Sequence, residues 1–370
     1  MTIKNKAYIT DTALICCSGE NEEQLFHNIC TQNSFIKTDS NFFNNTPAAI
    51  GKISSDKKFF DNLLLKCEEI LDKSNLDTFQ DTLLIVGSSV GGIAITENIY
   101  LKNGNYKNID PNYHNIHTIQ TILKDKFKFL DDVSFSTACT SSANALGYAH
   151  EVLTKGLYKN VLVLGVDQLS QTTVGGFLSL GVLSSKPCKP FDVSRDGMNV
   201  SEAIACLLIQ TTQKEDCVEI CGVGYSSDAY HMTHPHPDGL GAKNAMQKAI
   251  LQAQLTTKDI DYINAHGTGT GANDSAEANA IESLFGNIPY VSSTKSITGH
   301  TLGASGALEA IISKLIINTQ TIPTSTNLND AENKNINLST QNITKEINYA
   351  LSNSFAFGGN NCSLVFGKVQ

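Results

Sequence analysis

The chain has 370 residues, of which 41% are hydrophobic and 17% charged, with a formal net charge of −9. That length supports two modest cores or one large two-part unit, and the composition is that of a globular protein without low-complexity tracts. The negative balance and the lack of a long Lys/Arg stripe argue against nucleic acid as the main partner, and no apolar run approaches the ~18–20 residues of a membrane span.

There are 10 cysteines. Cys16 and Cys17 are adjacent, Cys217 and Cys221 are the next closest, and no CxxC pair occurs. The pattern reads as a reduced cytoplasmic protein without disulfide staples or a zinc module. Met1 to Cys17 is not expected to be a signal peptide, because Thr10, Asp11 and Thr12 break its apolar run.

In chain order, Ala7-Tyr8-Ile9 and Ala13 to Cys17 read as a strand, Glu22 to Cys30 as a helix, and Phe59 to Leu71 as an amphipathic helix flanked by Lys57 and Lys58. That lysine pair reads first as a solvated face and second as a docking spot for an acidic partner. Thr82 to Val86 is a buried strand whose following loop, Gly87 to Gly92, lacks the spacing of a phosphate cradle. Asn160 to Asp167 and Ala203 to Gln210 are strands apolar on both faces, as in a sheet covered on both sides. Polar Thr211 to Asp216 is the expected junction between an N-terminal half, 1–212, and a C-terminal half, 213–370.

The second half repeats the pattern. Val218 to Tyr225 reads as a strand, Gly241 to Gln254 as a helix, Tyr262-Ile263-Asn264 as a strand, Asp274 to Phe285 as a helix and Ala304 to Asn318 as another. Val133 to Lys155 echoes Val291 to Asn318, and Leu84 to Gly92 echoes Tyr262 to Gly271. Alternating strands and helices predict two α/β halves with mostly parallel sheets between helix layers.

Four polar loops follow apolar strands, and such loops build sites in α/β folds. In the first, Val133-Ser134-Phe135 leads into Thr137-Ala138-Cys139-Thr140-Ser141-Ser142 and then a helix from Ala143. This puts Cys139 near a helix start, where unpaired N–H groups and the helix dipole favour a nucleophilic thiolate. The others carry His266, then Lys295 and His300, then Phe357. A cysteine nucleophile needs a histidine within reach. His231, His234 and His236 form a further cluster, but Pro235 and Pro237 interrupt it and it does not read as a metal site.

Four motifs in this order, Thr137 to Ser142, Asn264-Ala265-His266-Gly267-Thr268-Gly269-Thr270, Lys295-Ser296-Ile297-Thr298-Gly299-His300 and Asn353-Ser354-Phe355-Ala356-Phe357-Gly358-Gly359, resemble the elongating β-ketoacyl-acyl-carrier-protein synthases. Ser226 to Thr233, Pro190-Phe191-Asp192 and Arg195-Asp196-Gly197 extend the resemblance over nearly the whole chain. It implies a thiolase fold, two similar halves in five α-β-α-β-α layers, usually homodimeric. It implies Cys139 as the acyl-carrying nucleophile, His266 and His300 as grips on the malonyl thioester carbonyl, and Lys295 as a supporting charge. Backbone N–H groups of Cys139 and Phe357 would form an oxyanion hole. Thr268 and Thr270 would bind the phosphopantetheine arm, Phe177 would line the acyl pocket, and Phe357 would be its gate. A structural monovalent cation would sit near Asn264, Glu309 and Asn353. No cofactor is implied, and the partner is an acyl carrier protein.

Ser201-Glu202-Ala203, Ala356 and the stretch Ile109 to Asp132 depart from the family pattern and leave acyl preference open between fatty acids and specialised polyene or polyketide lipids. Two other readings compete with it: a chain-length-factor subunit of a heterodimer, which usually lacks the nucleophile, and a thiolase-fold enzyme acting on coenzyme A thioesters.

Overall fold

The structure, a computed structural model, describes residues 5–369. Residues 1–4 and 370, the outer ends of the two expected halves, lie outside the described residues.

Ten strands carry the architecture. In the first half these are β1 (Tyr8–Cys16), β2 (Leu83–Gly87), β3 (Asp132–Phe135), β4 (Asn160–Asp167) and β5 (Ala203–Gln210). In the second they are β6 (Val218–Ser227), β7 (Tyr262–Asn264), β8 (Tyr290–Ser292), β9 (Tyr349–Phe355) and β10 (Asn360–Lys368). The helices are α1 (Glu22–Cys30), α2 (Phe59–Lys73), α3 (Ile93–Asn103), α4 (His117–Phe127), α5 (Ser141–Thr154), α6 (Gln171–Ser179), α7 (Leu240–Gln252), α8 (Gly271–Phe285), α9 (Lys295–Thr298) and α10 (Ser305–Thr319).

The first half-sheet runs β3-β2-β4-β5-β1 and the second β8-β7-β9-β10-β6, so each strand has its counterpart five places later. The two join where β1 meets β6 antiparallel, through Tyr8↔Glu219 and Ile9↔Val218. The expectation of mostly parallel sheets is corrected. In the first half only the three outer strands are parallel; in the second, a two-residue strand at Asn337–Leu338 adds a further parallel pairing outside β8, and the other pairings are antiparallel. The β9–β10 turn at Ala356 to Gly359 shows why, since so short a connection cannot cross over and must fold back.

Side-chain alternation sorts the layers. Leu83, Ile85, Val161 and Val163 face the middle, where α5 and α10 pack between the half-sheets. Leu84, Val86, Leu162 and Leu164 face the opposite way, onto α2 and α4. Helices α7 and α8 cover the far side. The central helices approach closely because their contact residues are small: a Cβ added at Gly306 would lie 2.5 Å from the Ala143 backbone nitrogen. The result is five layers, α-β-α-β-α.

Several element ends differ from the sequence-based expectation. The helix after Cys139 begins at Ser141, two residues early, because the Asn144 N–H already reaches the Thr140 carbonyl at 2.8 Å. Helix α8 starts at Gly271 rather than Asp274, since Asp274 turns back onto its own loop instead of opening the helix. Helix α10 starts at Ser305 after a 3-10 turn, and α9 is a single turn too short to show periodicity.

Candidate active site

The four polar loops converge past the ends of β3, β7, β8 and β9, around a cavity of about 410 Å³. Cys139 reaches it through a sharp strand-to-helix turn. Ala138 there takes φ 52, a left-handed angle that costs a residue with a Cβ about 1 kcal/mol or more. The turn is held by Ser141 Oγ and Ser89 Oγ, which donate to the Ala138 carbonyl at 2.6 and 2.8 Å. Asp167, buried at the end of β4, accepts from Ser88 Oγ at 2.6 Å and from the N–H groups of Ser89, Val90 and Gly303. It thereby ties the loop after β2 to the start of α10.

Cys139 Sγ lies 3.0 Å from His300 Nε2. The other His300 nitrogen, Nδ1, lies 3.0 Å from Ser305 Oγ, whose hydroxyl can donate or accept as the tautomer requires. His266 stands at right angles to His300, with ring centroids 5.2 Å apart. Its Nδ1 faces the Lys295 ammonium at 3.4 Å. An ammonium can only donate, so Nδ1 is the acceptor and Nε2 carries the proton. Lys295 is buried and paired with buried Glu309.

Burial sets the protonation states. It pushes the Cys139 thiol up to about 11, against the Lys295 charge and the Phe357 N–H, which pull it down. This corrects the expectation of a resting thiolate: the cysteine sits one residue before the Thr140 helix cap, and desolvation outweighs the helix end. Both imidazoles are held well below their ordinary value, by burial first and then by the Lys295 charge, so both are neutral near pH 7.

Thr268 and Thr270 line the cavity with their hydroxyls 2.9 Å apart. Phe177 and Phe357 meet across it edge to face, with ring centroids 6.1 Å apart. The turn carrying Phe357 is tied to the residue 228–233 loop: the Gly358 N–H donates to the Met232 carbonyl at 2.8 Å, and the Asp228 N–H to the Gly359 carbonyl at 2.9 Å. Positive φ at Gly358 and Gly359, 87 and 79, explains the two glycines. Ala356 and the Ser201-Glu202-Ala203 variation need no such angle.

Of the expected cation ligands, Asn264 Oδ1 and Glu309 Oε2 are buried oxygens without a hydrogen-bond partner and suit a cation. Asn353 does not fit that role, because Ser363 Oγ donates to its oxygen at 2.7 Å and its amide donates to Glu277 at 3.0 Å.

Two carboxylates were not anticipated from the sequence. Glu277 accepts the His266 and Gly267 N–H groups, each at 2.8 Å, and burial raises its carboxyl to about 7. Asp274 accepts the Thr268 and Gly269 N–H groups at 3.0 and 3.1 Å. The readable signal was their i, i+3 spacing in the first turns of a helix, which aims both back at the preceding loop. The histidine cluster is placed differently from buried His266 and His300: His231 and His234 are 3.0 Å apart between their Nδ1 atoms on the exposed rim. Lys57 and Lys58 are exposed at the start of α2.

Known proteins resemble the chain over most of its length. Residues 131–215 match the family model "Beta-ketoacyl synthase, N-terminal domain", and residues 217–329 match "Beta-ketoacyl synthase, C-terminal domain". The chain is 32% identical over 333 residues to 3-oxoacyl-[acyl-carrier-protein] synthase 2 of Vibrio harveyi, covering 81% of this chain and 80% of that protein. It is 38% identical over 258 residues to the enzyme of the same name from Coxiella burnetii, covering 64% of this chain and 62%, under two thirds, of that protein. Among solved structures it resembles a chain of the ketosynthase (ApeO) in complex with its chain length factor (ApeC) from Xenorhabdus doucetiae, with TM-score 0.90 and 28% identity over 100% of this chain and 99% of that one. It also resembles a β-ketoacyl synthase from Burkholderia phymatum, with TM-score 0.88 and 26% identity over 99% and 100% of the two chains. The fold is of the thiolase type. The chain belongs to the β-ketoacyl synthase family.

Proposed function

We propose that the protein is a stand-alone β-ketoacyl-acyl-carrier-protein synthase that extends an acyl chain by decarboxylative Claisen condensation. The observation that carries this reading is the buried cluster of Cys139, His266 and His300, whose ligand atoms all lie within 4.8 Å of one another at the base of the cavity.

In the first step His300 Nε2 takes the Cys139 proton as Sγ attacks the acyl thioester carbonyl. The N–H groups of Cys139 and Phe357 receive the oxyanion, and the carrier thiol leaves with the proton from His300. Malonyl thioester then enters past Phe357, its arm against Thr268 and Thr270. Before decarboxylation His300 exchanges its Nδ1 proton for one on Nε2 through solvent, and Ser305 Oγ then donates to Nδ1. The malonyl C–C bond breaks and CO2 departs, leaving an enolate whose oxygen accepts from His266 and His300 Nε2–H. The enolate carbon attacks the acyl-Cys139 carbonyl. Collapse expels the Cys139 thiolate, which regains a proton from solvent, and 3-oxoacyl-carrier is released. Lys295 holds the His266 tautomer and supplies positive charge. The halves 1–212 and 213–370 each contribute part of this machinery. A monovalent cation against Asn264 and Glu309 would neutralise buried oxygen charge behind Lys295.

The test is intact-mass spectrometry after mixing with a panel of acyl-carrier thioesters, beside Cys139→Ala. An acyl adduct on the native chain that is absent from the variant is the expected result. Absence of an adduct from every donor would overturn it and favour the second reading, a chain-length-factor subunit, which is kept because a similar solved structure is a complex of that kind. We further propose that the chain forms a dimer through the free edge of β3, and that a carrier protein docks near Lys57 and Lys58.

A further inference from the structure

Helix α6, which carries Phe177, is weakly anchored by its own sequence. Val174 is its one buried side chain among nine residues. Gly175 and Gly176 stand side by side within it, and glycine is among the poorest helix formers. The helix ends at Leu180, next to Gly181 with φ 67. A segment so composed needs to be held from outside.

Beyond the packing of Val174, Phe177 and Leu178 on a small apolar cluster with Leu169, Met198 and Leu302, two contacts hold it. Glu97 of α3 straddles the start of α6: Oε1 accepts the Gln171 N–H at 2.6 Å, and Oε2 accepts the Thr172 N–H and Thr172 hydroxyl, each at 2.7 Å. With Ser170 Oγ accepting the Thr173 N–H at 3.1 Å, the first three N–H groups of the helix are all satisfied. A carboxylate across a helix N-terminus also meets the positive end of the dipole, and charge-assisted hydrogen bonds are the stronger kind. The second contact is Phe43, whose ring lies so close over Gly175 that an added Cβ would come within 2.5 Å of it. Two residues further on, Phe177 meets the Phe357 ring.

We propose that Glu97 is a positioning residue for substrate selection. Through α6, with Phe43 as its second support, it fixes how far Phe177 stands into the acyl channel and so which acyl chains are accepted. Glu97 touches neither substrate nor the reacting atoms. The inference rests on the proposed condensation, with Phe177 as a pocket wall.

The test measures, for the native enzyme, Glu97→Ala, Glu97→Gln and Phe43→Leu, the rate of Cys139 acylation by carrier thioesters of stepwise increasing length, together with KM for malonyl-carrier. Glu97→Ala is expected to reduce the preference for the best chain over one two carbons longer by about tenfold, the scale on which pocket walls discriminate methylenes. KM for malonyl-carrier should stay within about twofold. Glu97→Gln keeps an accepting oxygen and is expected to restore part of the preference. Phe43→Leu, in a partly exposed loop, should shift selection in the same direction and answers the question if Glu97→Ala does not fold. Unchanged length preference in the folded variants, with only a lower melting temperature, overturns the proposal and leaves Glu97 a structural cap. A native enzyme acylated by no donor overturns the proposed function instead, and this inference with it.

Discussion

At the scale of single residues, burial decides the chemistry. The Cys139 thiol is pushed up to about 11 by desolvation, so near pH 7 it rests protonated and needs His300, 3.0 Å away, to take its proton. The two imidazoles are pushed the other way by the same burial, which disfavours the imidazolium, and by the neighbouring Lys295 charge. The signs give a prediction. Alkylation of Cys139 by iodoacetamide, followed by mass, should keep accelerating as pH rises through 9, because the thiolate fraction is still growing there. Condensation should persist below pH 6.5, because both histidines remain neutral under their ordinary pKa of about 6.5. An alkylation plateau below pH 8 would show a thiolate at rest and refute the assignment.

At the scale of elements, β3 carries the next prediction. The carbonyls of Asp131 and Phe135 accept from Leu84 and Ser88 N–H groups at each end of the β2–β3 pairing. Alternation then turns the backbone groups of Asp132 and Ser134 outward along an unpaired sheet edge. If two copies join there, Ser134→Pro removes one outward N–H without touching β2, a placement proline tolerates at an edge. Light scattering should then fall from twice 39.9 kDa to that mass. The variant also loses the Gln120–Ser134 contact, a stability cost of about 1–3 kcal/mol that does not alter mass. A variant that keeps the double mass would place the interface elsewhere. The same strand shows what was readable in the sequence. Short apolar runs ending in Ser/Thr, His or Gly loops mark β3, β7, β8 and β9 and the residues they present, because β7, β8 and β9 are largely buried, β3 turns Val133 and Phe135 toward the core, and each loop is polar for a reason. Helices α3 and α4 were not assigned: their buried faces include Thr96, Thr118 and Gln120, which carry no apolar period. The sheet directions were misjudged because pairing depends on where the chain returns, not on any local residue.

At the scale of the whole molecule, the two halves are one design used twice. Five strands of each follow the same order, the second half adding the short edge strand Asn337–Leu338, and β1 and β6, the counterpart strands, meet at the junction. The halves have diverged in what they present. The loop after β3 carries Cys139, the proposed nucleophile, whereas the loop after its counterpart β8 carries Lys295 and His300. The duplication therefore supplies the frame, and the site lies between unlike loops. The net charge of −9 sets a condition on the partner. Carrier proteins of the kind the resemblance implies are acidic, so docking must overcome general repulsion through a local positive patch. Lys57 and Lys58 are exposed at the start of α2 and, among the described residues, have no ion-pair partner, so their charge is free to meet an acidic helix. Reversing both, Lys57→Glu with Lys58→Glu, should raise KM for malonyl-carrier about three- to tenfold at low salt, the scale of a few rim charges. The difference should shrink as salt is raised to about 0.5 M, where the screening length drops below ~5 Å. Malonyl-pantetheine, which lacks the carrier, should be handled as before. An equal loss with both substrates would mean the reversal disturbs α2 and the sheet it covers. An unchanged KM would move the docking surface away from this helix.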